Sequence, residues 1–223
     1  ASTTEGVINI TEASAIVVGS VDVLTVDRVD TDATVFTVAD AATLAGLTTT
    51  ALVDGAVIIR TIDGSLVVEE SVSATANGAL LLQASGVGSD VLLNADVVSA
   101  SGSISVQAAD AIILDPAVLV QTGGAGSVDL LAVGGAVEMA DTSRALTSNG
   151  SIRIEAGGDI LLSNAESLAE VALISGGSIL DNGDTYQDVV AAGLLIQAGI
   201  GAGTLGDSAN PLEIDTDTLS ARA

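Results

Sequence analysis

The chain has 223 residues, 48% of them hydrophobic but only 1% aromatic, and it sets five Arg and no Lys against 29 acidic residues for a formal charge of −24. The missing cations exclude nucleic-acid binding, which needs phosphates neutralised, and disfavour anionic membrane surfaces. The absence of Cys and His excludes disulfides, thiolate or imidazole metal sites and histidine-based catalytic triads.

The core must therefore be aliphatic, built from Val, Ile, Leu and Ala. Aromatic side chains carry much of the buried area in ordinary globular cores, so their absence suits a thin, regular interior. Asp, Ser, Thr and Gly interrupt every apolar run before it reaches the roughly 18 residues of a membrane span, and no membrane insertion is expected.

Residues 1–54 read as irregular N-terminal coils, opened by Gly6-Val7-Ile8-Asn9-Ile10 about two coils upstream of Gly55-Ala56-Val57-Ile58-Ile59. From 55 to 165 the pattern is regular. Gly-x-Φ-x-Φ-x-Ala, with Φ aliphatic, starts at Gly78, Gly102, Gly126 and Gly150, which are 24 residues apart three times running. Each copy is followed by a short apolar strand (Val91–Leu93, Ile112–Leu114, Val137–Met139, Ile160–Leu162) and then by a looser third one.

Three short strands separated by Gly, Asp, Asn and Ser turns make one coil of a solenoid. An antiparallel sandwich is the rival, since Asn77-Gly78, Asn149-Gly150 and Asn182-Gly183 are hairpin signals, but a meander gives no reason for a fixed period. The expected fold is all-β, a parallel β-helix of about nine coils. At about 4.8 Å per coil the rod is about 40–45 Å long. Residues 166–223 read as irregular C-terminal coils, with first strands near Val171-Ala172-Leu173 and Leu194-Leu195-Ile196 and a last one opened by Leu212-Glu213-Ile214.

Stacking predicts the outer surface as well. Gln83 is expected beside Gln107 as an amide ladder and Asp129 beside Arg153 as an ion pair. The outward middle residues of the second strands, Val67, Leu92, Ile113 and Leu161, form a candidate apolar interface row that Glu138 interrupts.

The recurring Gly-Ser-Ile/Val-x-Ile/Leu-x-Ala coils, the tail from Gly199 through Asn210-Pro211-Leu212-Glu213-Ile214 to Ala221, and the Gly6 to Ile10 opening resemble large bacterial adhesin-type exoproteins with filamentous-haemagglutinin-like repeats. The resemblance spans nearly the whole chain. It implies a right-handed parallel β-helix in a secreted or cell-surface protein, and it implies no catalytic residue.

No catalytic motif emerges. There is no Gly-x-Ser-x-Gly elbow and no Walker lysine. Gly201-x-Gly203-x-x-Gly206 matches the dinucleotide fingerprint only nominally, because Asp207 to Pro211 follows as turn chemistry. Adjacent Glu69 and Glu70 face opposite ways in a strand. The five arginines (28, 60, 144, 153, 222) are scattered. The chain is expected not to be an enzyme, a glycan-active β-helix being the remote alternative.

Calcium is the one cofactor to weigh, because Asp clusters supply its hard oxygen ligands. The best cluster is Asp181, Asp184 and Asp188 around Gly183; Asp27, Asp30 and Asp32 form a second, and Asp215 and Asp217 a third. None has EF-hand spacing. The expected role is a structural or adhesive shaft module that meets neighbouring modules or copies of itself end to end; a calcium-dependent binding module is the alternative.

Overall fold

Aliphatic residues that alternate along a strand and repeat every 24 positions can all be buried at once only if each strand lies on its own counterpart in the next coil. That arrangement is what the computed structural model shows over the residues it describes, 6–39, 42–50, 54–183, 187–199 and 203–223. Regular structure among them is all strand. The first strands of the regular coils are Val57–Thr61, Leu80–Ala84, Ile104–Ala108, Val128–Ala132 and Ile152–Ala156. Leu80 pairs in parallel with Ile104, Ile104 with Val128 and Val128 with Ile152, so the 24-residue period is the rung spacing.

Second strands form a separate seven-stranded parallel sheet running from Ile16–Val18 through Val91–Leu93 to Ile179–Asp181. Third strands such as Val97–Ser99, Leu119–Thr122 and Asn164–Glu166 make another parallel stack. The first and third stacks join in one 15-stranded sheet through Val189–Gln197. Val189 of that strand pairs with Ala165 in the third stack, and Leu194 pairs with Val171 in the first.

The result is a parallel β-solenoid of about seven turns, not nine, counted by the seven-stranded sheet. At about 4.8 Å per turn it is about 34 Å long. The coils depart from the expected ones at both ends. Ile8–Glu12 lies directly on Val57–Thr61, so the opening strand is one turn upstream, not two. The intervening chain leaves the coil: Ser20–Val21 pairs antiparallel with Leu44–Ala45, and Thr25–Val29 with Val35–Ala39. Local turn chemistry drives this. Asp30 N–H donates to Thr34 O at 2.8 Å, Ala33 N–H to Asp30 O at 3.0 Å, and Ala33 takes the left-handed conformation at φ 66°.

The second departure is at the other end. Leu212 and Glu213 do not open a first strand. Ile214–Arg222 pairs along its length with Val189–Gln197, so Ile214 stands on Val189 in the third stack and Leu219 on Leu194 in the first.

Inward positions form aliphatic columns. Val57, Leu82, Val106, Leu130, Ile154 and Leu173 are fully buried, each contributing on the order of 1.5–3 kcal/mol. The glycine that opens each repeat has a steric cause. A Cβ on Gly126 would sit 2.5 Å from the Gly102 carbonyl oxygen, and Gly78 and Gly102 meet the carbonyl of the preceding glycine in the same way. Buried hydroxyls satisfy those carbonyls: Ser99 Oγ donates to Gly78 O at 2.7 Å, Thr122 Oγ1 to Gly102 O at 2.6 Å and Ser167 Oγ to Gly150 O at 2.6 Å. Sequence reasoning missed this hydroxyl column.

Outside, Gln83 donates from Nε2 to Gln107 Oε1 at 2.9 Å. Arg153 reaches Asp129 at 3.0 Å and also pairs with Glu155. These partly exposed pairs are worth about 0–1 kcal/mol each.

Turns carry local strain. Val118 N–H donates to Asp115 O at 3.2 Å across Pro116 and Ala117, whose φ is 63°. One coil later Ser143 N–H donates to Ala140 O at 3.0 Å, and the corresponding residue is Thr142 at φ 64°. A left-handed L-residue costs about 1–2 kcal/mol, and the greater chain entropy lost by glycine offsets about half of that. Thr142→Gly is therefore expected to stabilise the protein by about 0.5–1 kcal/mol, read as a higher urea midpoint; a lower midpoint would show that the Thr142 side chain is needed.

Candidate functional site

The two ends of the solenoid present open strand edges. At the N-terminal end, Ile8–Glu12, Ile16–Val18 and Leu47–Thr49 are the outermost rungs, with no strand beyond them among the described residues. Several of their inward side chains are incompletely covered: Ile8, Ile16 and Leu47 are half-buried and Ile10 is 36% exposed, whereas Ile59 one coil in is 0% exposed; Val18 and Thr49 on the same rungs are buried. The excursion at this end projects; Thr25–Val29 is exposed along both faces. At the C-terminal end Ile214–Arg222 is the outermost rung, and Leu219 is 50% exposed where Leu194 beneath it is 3%. Unpaired strand edges of this kind template further pairing.

The candidate apolar row is one physical column. Val67 pairs with Leu92, Leu92 with Ile113, Ile113 with Glu138 and Glu138 with Leu161. Its apolar members are half-buried by their stacking neighbours.

An acidic corner lies near the C-terminal end. Asp181 ends the last second strand and pairs with Leu162, so a carboxylate occupies the inward place that leucine and methionine hold in earlier coils. Asp188 is fully buried just before Val189–Gln197. The structure brings these two together, and Asp184 lies outside the described residues. The third carboxylate is Glu213, which sequence reasoning did not single out. One oxygen from each of Asp181, Asp188 and Glu213 lies within 4.8 Å of the others. Backbone pairing fixes the corner: Asp188 N–H donates to Glu213 O at 2.9 Å, and Glu213 N–H to Asp188 Oδ2 at 2.7 Å.

The other acidic groups are used locally. Asp27 accepts from Thr37 Oγ1 at 2.9 Å, Asp30 from Thr31 N–H at 2.6 Å and Asp32 from Thr34 N–H at 2.9 Å. The Thr34 hydroxyl, followed by its amide, holds the Asp32 carboxyl below the usual carboxylate range. Asp215 and Asp217 lie on the exposed terminal strand. Gly201 is outside the described residues, while Asp207 and Asn210 exchange backbone hydrogen bonds at 2.9 and 3.3 Å beside Gly206, a turn. A shallow groove beside the corner holds Arg144, which bonds Asn164 Oδ1 at 3.1 Å and pairs with Glu166 at 2.6 Å. No helix of the described residues is long and apolar enough to cross a membrane.

Comparison with known proteins found no matching family model, no matching curated protein and no matching solved structure.

Proposed function

We propose that the chain is a structural shaft segment of a secreted or cell-surface bacterial protein of the adhesin type, continued at both ends by further solenoid coils. The observation that carries this reading is the pair of open end rungs. Continuing the parallel register places a second copy's Ile8–Glu12 on Ile214–Arg222. Ile8 then stands on Leu219 and Ile10 on Ala221, the places that Val57 and Ile59 take over Ile8 and Ile10 within the chain. The contact would bury the half-covered side chains of both rungs, and solenoid coils gain their stability from such neighbours. The charge of −24 keeps a hydrophobic rod soluble.

Light scattering coupled to gel filtration, with electron microscopy, tests it. At micromolar concentration the chain is expected to form oligomers and filaments one solenoid wide. Ile8 N–H bonds inward to Ala56 O at 3.0 Å, so strand alternation turns the Asn9 amide to the open edge. Asn9→Pro removes that donor without touching the internal ladder and is expected to give single rods with an unchanged circular dichroism spectrum. Wild-type chain that stays as single rods at every concentration would overturn the end-to-end reading.

A further inference from the structure

The geometry points to a calcium site at the acidic corner, formed by Asp181, Asp188 and Glu213, that ties the last coil to the terminal strand. This inference is independent of the shaft reading.

Three features converge. The first is the donor set. Three carboxylates contributed by three separate segments converge through oxygens within 4.8 Å of one another. Calcium binds oxygen ligands at about 2.4 Å, so oxygens no farther apart than about 4.8 Å can share one ion. Magnesium keeps several of its waters and is rarely held in an all-protein carboxylate cage, and the chain has no His or Cys for softer metals.

The second is burial. Asp181 is 7% exposed and Asp188 0%. Burying carboxylates this close together is costly unless a cation or a shared proton compensates. Among the described residues no arginine pairs with Asp181 or Glu213.

The third is a carboxylate oxygen without a use in the fold. Asp181 Oδ1 accepts the Gly183 N–H at 3.0 Å. Its Oδ2 is fully buried and accepts no hydrogen bond among the described residues. Buried polar atoms are nearly always satisfied, and an orphaned oxygen within an all-carboxylate cluster is what a bound cation would engage. Solvent completes the shell on the exposed Glu213 side.

The site would act mechanically. Asp181 belongs to the last second strand, Asp188 opens Val189–Gln197, and Glu213 precedes Ile214–Arg222. One ion therefore fixes the turn on which the C-terminal open rung depends.

Isothermal titration of the full chain with calcium chloride, at about 0.15 M monovalent salt to screen general attraction to the acidic surface, provides the test. The expected result is one saturable site per chain and a melting temperature raised by several degrees. Glu213→Gln keeps the backbone bonds to Asp188 and is expected to weaken binding at least tenfold. Glu138→Gln, on the exposed side of a central coil, is expected to leave it unchanged. Absence of a saturable site, or equal weakening by both variants, would overturn the assignment. Because Glu213→Gln is expected to fold, shown by an unchanged far-ultraviolet spectrum, its loss of binding cannot be ascribed to unfolding. Assembly into filaments is read separately, in calcium-free buffer, so failure of one proposal leaves the other standing.

Discussion

Gly126→Ala is expected to destabilise the solenoid by about 3 kcal/mol, at the upper end of overpacking effects. The backbone conformation of Gly126 is not the cause, since its φ is not in the left-handed region. The cause is contact between coils. An added Cβ would lie 2.5 Å from Gly102 O, 2.5 Å from Thr122 Oγ1 and 2.7 Å from Ser101 O. Two of these atoms are backbone, and the Thr122 hydroxyl is held by its bond to Gly102 O at 2.6 Å. None can step aside without opening the ladder between Ile104–Ala108 and Val128–Ala132. Gly19→Ala is the control, because its Cβ would meet only a valine methyl at 3.8 Å, and it is expected to change stability by less than about 0.5 kcal/mol. Urea unfolding followed by circular dichroism measures both. If the two variants unfold alike, the close approach of stacked glycines is not what fixes the repeat.

Leu130→Ala is expected to cost about 3 kcal/mol through lost burial and the cavity left behind. Leu130 is fully buried and stands between Val106 and Ile154 in its column. Interdigitated neighbours on both sides prevent collapse into the gap. Leu219→Ala removes the same atoms from the terminal rung, where half of the side chain is already exposed, and is expected to cost less than about 1 kcal/mol in the unassembled chain. The gradient follows from a stack in which each coil touches only its neighbours. Equal costs at both positions, measured in urea at concentrations below assembly, would mean that the terminal rung is covered in solution.

The regular coils were legible because one constraint writes itself repeatedly into the sequence. Only glycine fits where Gly78, Gly102 and Gly126 approach the coil below, and the alternation after each glycine names the buried residues. The excursion near the N-terminus was not legible. Val26, Val29, Val35 and Val38 look like coil strands by composition, and the pairing is decided by the Asp30 to Thr34 turn, a local competitor of the stacking rule.

The acidic corner was half legible. Asp181 and Asp188 stood out as acidic residues near Gly183, but Glu213 is remote in sequence. Its signal was available: it lies 25 positions after Asp188, a coil-length separation, and the reasoning that paired Gln83 with Gln107 also places it beside Asp188. Asp181 carried a signal too, as an acid where earlier coils end their second strand in Leu or Met.

The turns differ widely in length while the rungs keep one register. From Ile8 to Val57 the chain takes 49 residues, from Ile104 to Val128 it takes 24, and from Ile152 to Val171 only 19. Rung positions are thus insulated from what happens at the corners. A lineage of such proteins can duplicate a coil, or splice a new segment into a corner, without rewriting the interior. Sequence variation is expected to accumulate in those corners, and a foreign peptide inserted where the chain leaves the coil between Ile16–Val18 and Leu47–Thr49 would be displayed on an unchanged scaffold.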